Sequence, residues 1–392
     1  MVQELISNLR IAIAGAGPAG CACAKYLLDS GFKDITIFDK GKFLRTLLPT
    51  GGGRCNLAFA EFDFKLLAKN YPRGEKFLYS LFSRFSTKDT LNFMENIGVK
   101  IYTQNDMRIF PESNSAAEVR TKLLEKIKNC NFVTEKIEKI SPLKNGYKIK
   151  TEKSDYAFDA VVLAIGGHSG YQMISDMDIN LIPPVQSLVG LVTNEDFSQI
   201  AGVSLKNVLI KNGKNTCTGD LLFTHRGVSG PVIYKISSIL AREKMPYKLK
   251  IKMIEDFNLQ EEFNKNPHKE IKNLLGKYIP KSLAVFMLNT LHINPETPCH
   301  KINGKSRDKI YENLTSFEIN ITGKVQDGEV VTCGGINLKE LNPSTLEFKK
   351  YKNLYCCGEV MDIDGFCGGF NLQNCWTTGY VVSCGILENN SR

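Results

Sequence analysis

The apolar positions of this chain fall into two periods. Short continuous runs at 11–14 and 35–38 flank a stretch of helical spacing through Ala22, Ala24, Tyr26, Leu27 and Leu28. That alternation predicts the strand, helix and strand of a parallel sheet. Gly31 suits the C-terminal cap of the helix. Helical spacing returns over 62–97, ended by Gly98, and over 116–127 behind the polar start Ser113-Asn114-Ser115. From 131 onward the period shortens. Runs at 132–140 and 146–152 are joined by Lys144-Asn145-Gly146, a hairpin signal. A third run at 156–165 ends in Val161-Val162-Leu163-Ala164-Ile165, continuous enough for a strand buried on both faces.

The middle third has a different texture. Strand-like runs at 188–193, 206–211, 220–224 and 247–254 give way to helix-like segments at 259–275, 282–291 and 308–314, and strand-like runs resume at 317–322 and 329–332. This predicts an inserted β domain that itself carries a helical insertion. From Asn353 the character of the opening returns: Leu354-Tyr355-Cys356-Cys357 reads as a short buried strand, and a glycine-rich loop leads into a helix over 371–387. No internal repeat or low-complexity tract interrupts the chain.

The first turn carries chemistry. Gly15-Ala16-Gly17-Pro18-Ala19-Gly20 follows the first strand, and Asp39 closes the second. Gly15 makes the tight turn, Gly17 lets backbone approach a pyrophosphate, and Gly20 lets helix pack on strand. The helix N-terminus favours anions, and an acid ending the second strand accepts hydrogen bonds from ribose hydroxyls. The pattern predicts a dinucleotide site. A hairpin excursion followed by a buried strand and the paired Gly166-Gly167 favours FAD over NAD. The loop Thr50-Gly51-Gly52-Gly53-Arg54-Cys55-Asn56 is also too glycine-rich for a plain connector; its backbone must approach something, and Arg54 beside it suits a phosphate.

Composition narrows the class. With 392 residues, 43% of them hydrophobic, the chain can bury substantial cores. No run reaches the roughly 18 apolar residues of a membrane span, so a soluble protein is expected. Arg10 and the apolar run after it are no secretory signal, because three glycines and a proline interrupt them. Twelve cysteines at irregular spacing, without a Cys-X-X-Cys pair, fit reduced thiols in the cytoplasm rather than a disulfide scaffold or a zinc knuckle. The five histidines show no metal-ligand spacing, so no metal is expected. The net charge of +9 permits an anionic partner such as nucleic acid, but Lys248, Lys250 and Lys252 alternate with apolar residues as on the solvated face of a strand, which makes nucleic acid the weaker reading.

Six segments in order resemble one family. They are the Gly15 to Gly20 turn, the Thr50 to Asn56 loop, Arg108-Ile109-Phe110-Pro111, the stretch from Leu222 to Pro231, Thr332-Cys333-Gly334-Gly335, and the stretch from Gly358 to Gln373. Together they resemble the bacterial FAD-binding flavoproteins of the YhiN/BaiN type, described as NAD(P)/FAD-dependent or aminoacetone-oxidase-like oxidoreductases. The resemblance covers nearly the whole chain. It implies an α/β protein with a discontinuous Rossmann-like FAD-binding domain (1–187 and 345–392), an inserted β-barrel-like domain (188–255 and 316–344) and a helical insertion (256–315).

The expected FAD contacts begin with Gly15, Ala16, Gly17, Pro18, Ala19 and Gly20, with Asp39 and Lys40 at the end of the second strand. Gly52, Gly53, Arg54, Cys55 and Asn56 follow, then Ile137, Gly166 and Gly167. The C-terminal segment adds Gly358, Glu359 and Asp362 near the ribityl chain or pyrophosphate, and Gly368, Gly369, Phe370, Asn371 and Leu372 at a helix N-terminus facing the flavin. His225, between an apolar strand and a Gly-Val-Ser-Gly-Pro turn, is the candidate acid or base, since a histidine titrates near ~6.5. Cys55 is a weaker candidate thiol beside Arg54. The expected activity is hydride transfer through the flavin to or from a small organic substrate, with NAD(P)H or oxygen as second substrate. Only one dinucleotide fingerprint is evident, so any NAD(P)H would bind transiently or be absent. The alternative is a flavin-dependent RNA-modifying or RNA-binding protein.

Overall fold

The structure, a computed structural model, describes residues 9–390 except 169, 255–257 and 326–330. The chain divides into two compact units, Met1–Val185 with Val331–Arg392, and Gln186–Val330.

In the first unit four expected strands and the start of the 132–140 run assemble into one five-stranded parallel sheet. Its order is Leu354–Cys356, Ala160–Leu163, Ile11–Ala14, Ile35–Asp39, Asn131–Thr134. The central strand IAIA is wholly buried, as its continuous apolar run requires. Helix Pro18–Asp29 packs beside it, and the last helix, Phe370–Asn390, packs on that helix. The contact needs glycine: a side-chain carbon at Gly379 would stand 2.7 Å from the Ala19 carbonyl oxygen.

Two sequence runs divide. The stretch 132–140 splits, because Asn131–Thr134 joins the parallel sheet while Ile137–Pro142 enters an antiparallel sheet with Tyr147–Thr151 and Asp155–Phe158. Its turn is the expected one, with Gly146 at φ +85 and Leu143 N–H donating to the Gly146 carbonyl. The helical stretch 62–97 is three helices, Phe64–Ala68, Glu75–Phe82 and Thr87–Asn96. Pro72 lacks the donor a continuing helix needs, Gly74 turns at φ +84, and Ser86 with Asp89 forms a capping box that restarts the chain.

The second unit holds a closed six-stranded antiparallel barrel, in the order Leu191–Thr193, Gly227–Ser229, Asn215–Thr224, Ser204–Asn212, Tyr247–Lys252, Phe317–Lys324. Leu249 and Ile251 face its core while Lys248 and Lys250 are exposed, the alternation expected from period two. Helices Leu259–Lys265, Ile271–Leu275, Lys281–Thr290 and Gly304–Ser316 belong to the same unit, as does Pro231–Ile239, which the periodicity did not reveal. Strand Val331–Ile336 pairs with Leu181–Ser187 and belongs to the first unit, so the chain returns there at 331 rather than at 345. Residues 329 and 330 of the strand expected at 329–332 lie outside the described residues. Among the described residues no helix is long and apolar enough to cross a membrane.

Candidate functional site

The turn after the first strand is built on close approach. A side-chain carbon at Gly15, where φ is +113, would lie 2.2 Å from the Ala164 carbonyl oxygen, and one at Gly20 would lie 2.1 Å from the Gly15 carbonyl oxygen. Gly17 differs. A carbon there would meet only the Thr46 hydroxyl, at 3.8 Å, so its surface is open for a ligand. Gly17 is the N-cap of helix Pro18–Asp29, whose first turn has proline at its start and no acidic residue. Its unpaired N–H groups and positive dipole end face outward.

Asp39 ties this turn to the second strand. One carboxylate oxygen accepts from Ala16 N–H at 3.0 Å and the other from Gly41 N–H at 2.9 Å. Each oxygen keeps a lone pair for a ligand hydroxyl.

A trough runs past this carboxylate. Its wider part, about 410 Å³, is lined by Phe38, Asp39, Lys40, Glu135, Lys136, Ile137, Ile165 and Met173 among others. Its narrower part, about 150 Å³, is lined by Gly15 to Ala19, Lys42, Arg45, Thr46, Gly166, Gly358 and Glu359 among others. Gly15, Asp39 and Ile165 border both, so the two are continuous. The wide end offers apolar walls and an acceptor for hydroxyls, as a nucleoside requires. The narrow end offers a helix N-terminus and two cations, as a pyrophosphate requires. Lys42 and Arg45 escaped the motif reading; the basic run from Lys40 to Arg45 directly after Asp39 was the available signal.

The remaining expected residues gather elsewhere in the same unit. Gly369, at φ +95, is pressed on Ala58, where a side-chain carbon would lie 2.6 Å from the carbonyl oxygen. The Asn56 amide, with its nitrogen toward Ala58, donates to that carbonyl at 3.1 Å and accepts from Gly369 N–H at 3.1 Å. Trp376 Nε1 donates to the Leu57 carbonyl at 3.0 Å, and the Tyr71 hydroxyl donates to the Phe370 carbonyl at 2.6 Å. The Asn56 and Trp376 bonds fasten the loop from Thr50 to Ala58 against the start of the last helix, and Tyr71 ties the 69–74 loop to the same place. Asn371 does not cap that helix with its side chain; it turns back to bind Gly365 N–H at 2.8 Å and the Gly365 carbonyl at 2.9 Å. Phe370 packs on Phe59 with ring centroids 4.9 Å apart, and Leu372 packs against the core. Gly52 and Gly53 are exposed, whereas a carbon at Gly167 would touch Glu359, whose carboxylate accepts from Thr332 N–H at 2.9 Å. Asp362 N–H donates to the Ile336 carbonyl at 3.0 Å. Gly368, at φ +137, lies against Phe370 and Phe59.

Cys55 is wholly buried, and burial pushes its thiol up to about 12. At pH 8 the thiolate, the reactive form, is therefore scarce. Iodoacetamide at pH 8 is expected to label Cys367 in the folded protein, slowly because its thiol is pushed up to about 11 but reachably because it is exposed, and Cys55 only after unfolding, which peptide mass mapping checks. Among the described residues all twelve cysteines are free thiols. His225 is exposed in the two-residue turn between Asn215–Thr224 and Gly227–Ser229 of the barrel unit. Asp196 is near enough to feel its charge, although that carboxyl is held below its usual range chiefly by Ser198. Among the described residues no three His, Cys, Asp or Glu side chains converge as metal ligands.

The chain is 26% identical to the ribosomal RNA dihydrouridine synthase of Escherichia coli strain K12, over 97% of this chain and 98% of that one. It is 28% identical to the 3-dehydro-bile acid delta(4,6)-reductase of Clostridium scindens, over 97% and 99%. A solved chain of the Mycobacterium smegmatis Sdh1 complex in the apo form shares the fold, with a TM-score of 0.52 at 13% identity, covering 97% of this chain and 68% of that one. The family profile of the HI0933-like protein Rossmann domain matches residues 9–385. The chain therefore belongs to the HI0933-like family of FAD-binding Rossmann proteins and is an FAD-dependent oxidoreductase.

Proposed function

We propose that this protein adds hydrogen across a carbon–carbon double bond conjugated to a carbonyl group in a small organic molecule, with FAD held in the trough. The observation that supports FAD here is the trough itself, whose wide, hydroxyl-accepting end suits the adenosine and whose narrow end, with Lys42 and Arg45, suits the pyrophosphate. In this reading Asp39 accepts from the ribose, while Lys42, Arg45 and the open backbone of Gly17 and Gly166 take the pyrophosphate. The start of the last helix, behind Gly368 and Gly369, lies at the flavin ring. Its first-turn N–H groups then favour the negative charge that builds at the ring on reduction. FAD, once reduced by two electrons, would supply the hydride there. The names of both relatives support the choice of bond, since a dihydrouridine synthase and a delta(4,6)-reductase each saturate a double bond. His225 is given no step.

Dithionite-reduced holoprotein, mixed anaerobically with a series of conjugated ketones, is expected to be reoxidised with formation of the saturated ketone, read by flavin absorbance and mass spectrometry. Reoxidation by oxygen or a quinone but by no conjugated carbonyl compound would sink the reading. Asp39→Ala is expected to weaken FAD binding by about 1–3 kcal/mol, the loss of hydrogen bonds to a charged acceptor. Flavin titration measures it, and an unchanged dissociation constant removes Asp39 from the site.

One observation favours a second reading, in which the reduced group is a base in RNA. On the barrel's outer face exposed Lys211 stands directly opposite Lys250, which has Glu318 opposite it on the other side, so the row keeps an excess of positive charge that suits a polyanion. RNA affinity should then fall steeply with salt as counterions are released. Filter binding at physiological salt that detects no RNA removes it.

A further inference from the structure

Arg54 was expected at a phosphate, yet it lines neither part of the trough. Its guanidinium lies over the Phe110 ring, 4.2 Å from the centroid, and its Nε donates to the Gly51 carbonyl at 3.3 Å. Arg108 lies over the same ring at 5.7 Å, but Asp106 occupies its fork, at 2.8 Å from Nε and 2.6 Å from Nη2. Arg54 has no such carboxylate. Among the described residues its two terminal nitrogens meet no acceptor, although the residue is half-buried. A guanidinium seated over a ring, with Nε spent on backbone and the terminal nitrogens open, is available to an oxygen anion.

The position matters as much as the geometry. A side-chain carbon on Gly51 would stand 3.0 Å from the Phe110 ring and 2.9 Å from Asn56 N. Asn56 in turn bridges Ala58 and Gly369, at the start of the last helix. Phe110, Gly51, Asn56 and Gly369 are thus close neighbours in a line that runs from the open guanidinium to the proposed flavin face.

Resting on the reading above, we propose that Arg54 is a catalytic residue that receives the carbonyl oxygen of the conjugated substrate. Hydride adds to the β-carbon, the carbon–carbon π pair shifts to form the enolate, and negative charge gathers on the oxygen. The terminal N–H groups of Arg54 bond to that oxygen. A proton from water then adds to the α-carbon, the carbonyl re-forms, and the product is the saturated ketone. The two electrons enter beforehand from a reduced nicotinamide or, in the test, from dithionite. Because the charge on oxygen is greater in the transition state than in the bound ketone, the interaction accelerates the step rather than merely binding substrate.

4-Chlorophenol is the probe for the oxygen anion, and 2-cyclohexenone the probe for turnover. Oxidised holoprotein should bind the phenol as its phenolate, with long-wavelength charge-transfer absorbance and a lowered phenol pKa. Arg54→Met should raise the dissociation constant at least about tenfold and abolish the lowered pKa, and Arg54→Lys should restore part of both, with FAD content and circular dichroism unchanged. Reoxidation of the reduced protein by cyclohexenone should slow about 100-fold in Arg54→Met, while reoxidation by ferricyanide, which has no carbonyl, stays at the parent's rate. Phenolate binding that is absent from the parent, or equal in parent and Arg54→Met, overturns the proposal. So does a matching loss of FAD, which would make Arg54 a cofactor ligand. If phenolate binding depends on Arg54 while no conjugated ketone reoxidises the parent, the oxygen-anion site stands and the reading of the substrate bond falls.

Discussion

Replacing Asp364 with alanine is expected to destabilise the protein by about 3–5 kcal/mol, the usual cost of removing one partner of a buried ion pair. Asp364 is fully buried, and both of its carboxylate oxygens bond the guanidinium of Arg73, whose side chain is 13% exposed. The two residues also form a backbone bridge, and Ile363 fills the space above Gly74, where a side-chain carbon would stand 2.7 Å away. The pair therefore clamps the stretch just ahead of Gly365 and Gly368 to a loop almost three hundred residues earlier. Alanine leaves the guanidinium facing an empty socket and loosens the approach to the last helix, so FAD affinity should fall with stability. Urea unfolding of the apoprotein measures the first and flavin titration the second. The double variant Arg73→Met, Asp364→Leu should recover most of the stability, because apolar side chains of similar volume avoid the desolvation penalty. A loss under 1 kcal/mol in Asp364→Ala would show that the clamp carries little.

Gly15→Ala and Gly17→Ala should separate folding from binding. At Gly15 the added methyl would lie 2.2 Å from the Ala164 carbonyl oxygen, on a backbone at φ +113. The strained conformation alone costs about 1–3 kcal/mol, and relieving the overlap means moving the next strand of the sheet. Stability and FAD binding should both drop sharply. At Gly17 the methyl would meet no atom closer than 3.8 Å, and the residue already has ordinary negative φ, so the fold should keep its melting temperature. The same methyl would stand where the pyrophosphate approaches the helix N-terminus, so FAD affinity alone should fall. Thermal melts of the apoproteins with flavin titration decide the matter, and unchanged FAD affinity in Gly17→Ala would move the pyrophosphate away from this turn.

What the sequence determined by itself was local or short in range. Four of the five strands of the parallel sheet were legible as apolar runs, because strands buried on both faces are apolar along nearly their whole length, whereas the edge strand Asn131–Thr134 is largely exposed and was hidden in a longer run. Gly15, Gly146 and Gly98 were legible because only glycine adopts such φ values at little cost, and each marks a turn that the chain must make whatever surrounds it. Asp39 was legible because its distance from the first turn is set by one helix and one strand. Tertiary structure decided the rest. The run over 132–140 carried one period but was divided between two sheets, since pairing partners and not periodicity choose the sheet. Lys42 and Arg45 came to the trough through a loop whose path no local rule sets. Arg54 turned from the expected phosphate to the ring of Phe110, and Asp364 found Arg73, because a side chain's partner depends on which distant segment the core brings beside it. Backbone preference acts over a few residues and is written in them, whereas the company a charged side chain keeps is written only in the packing.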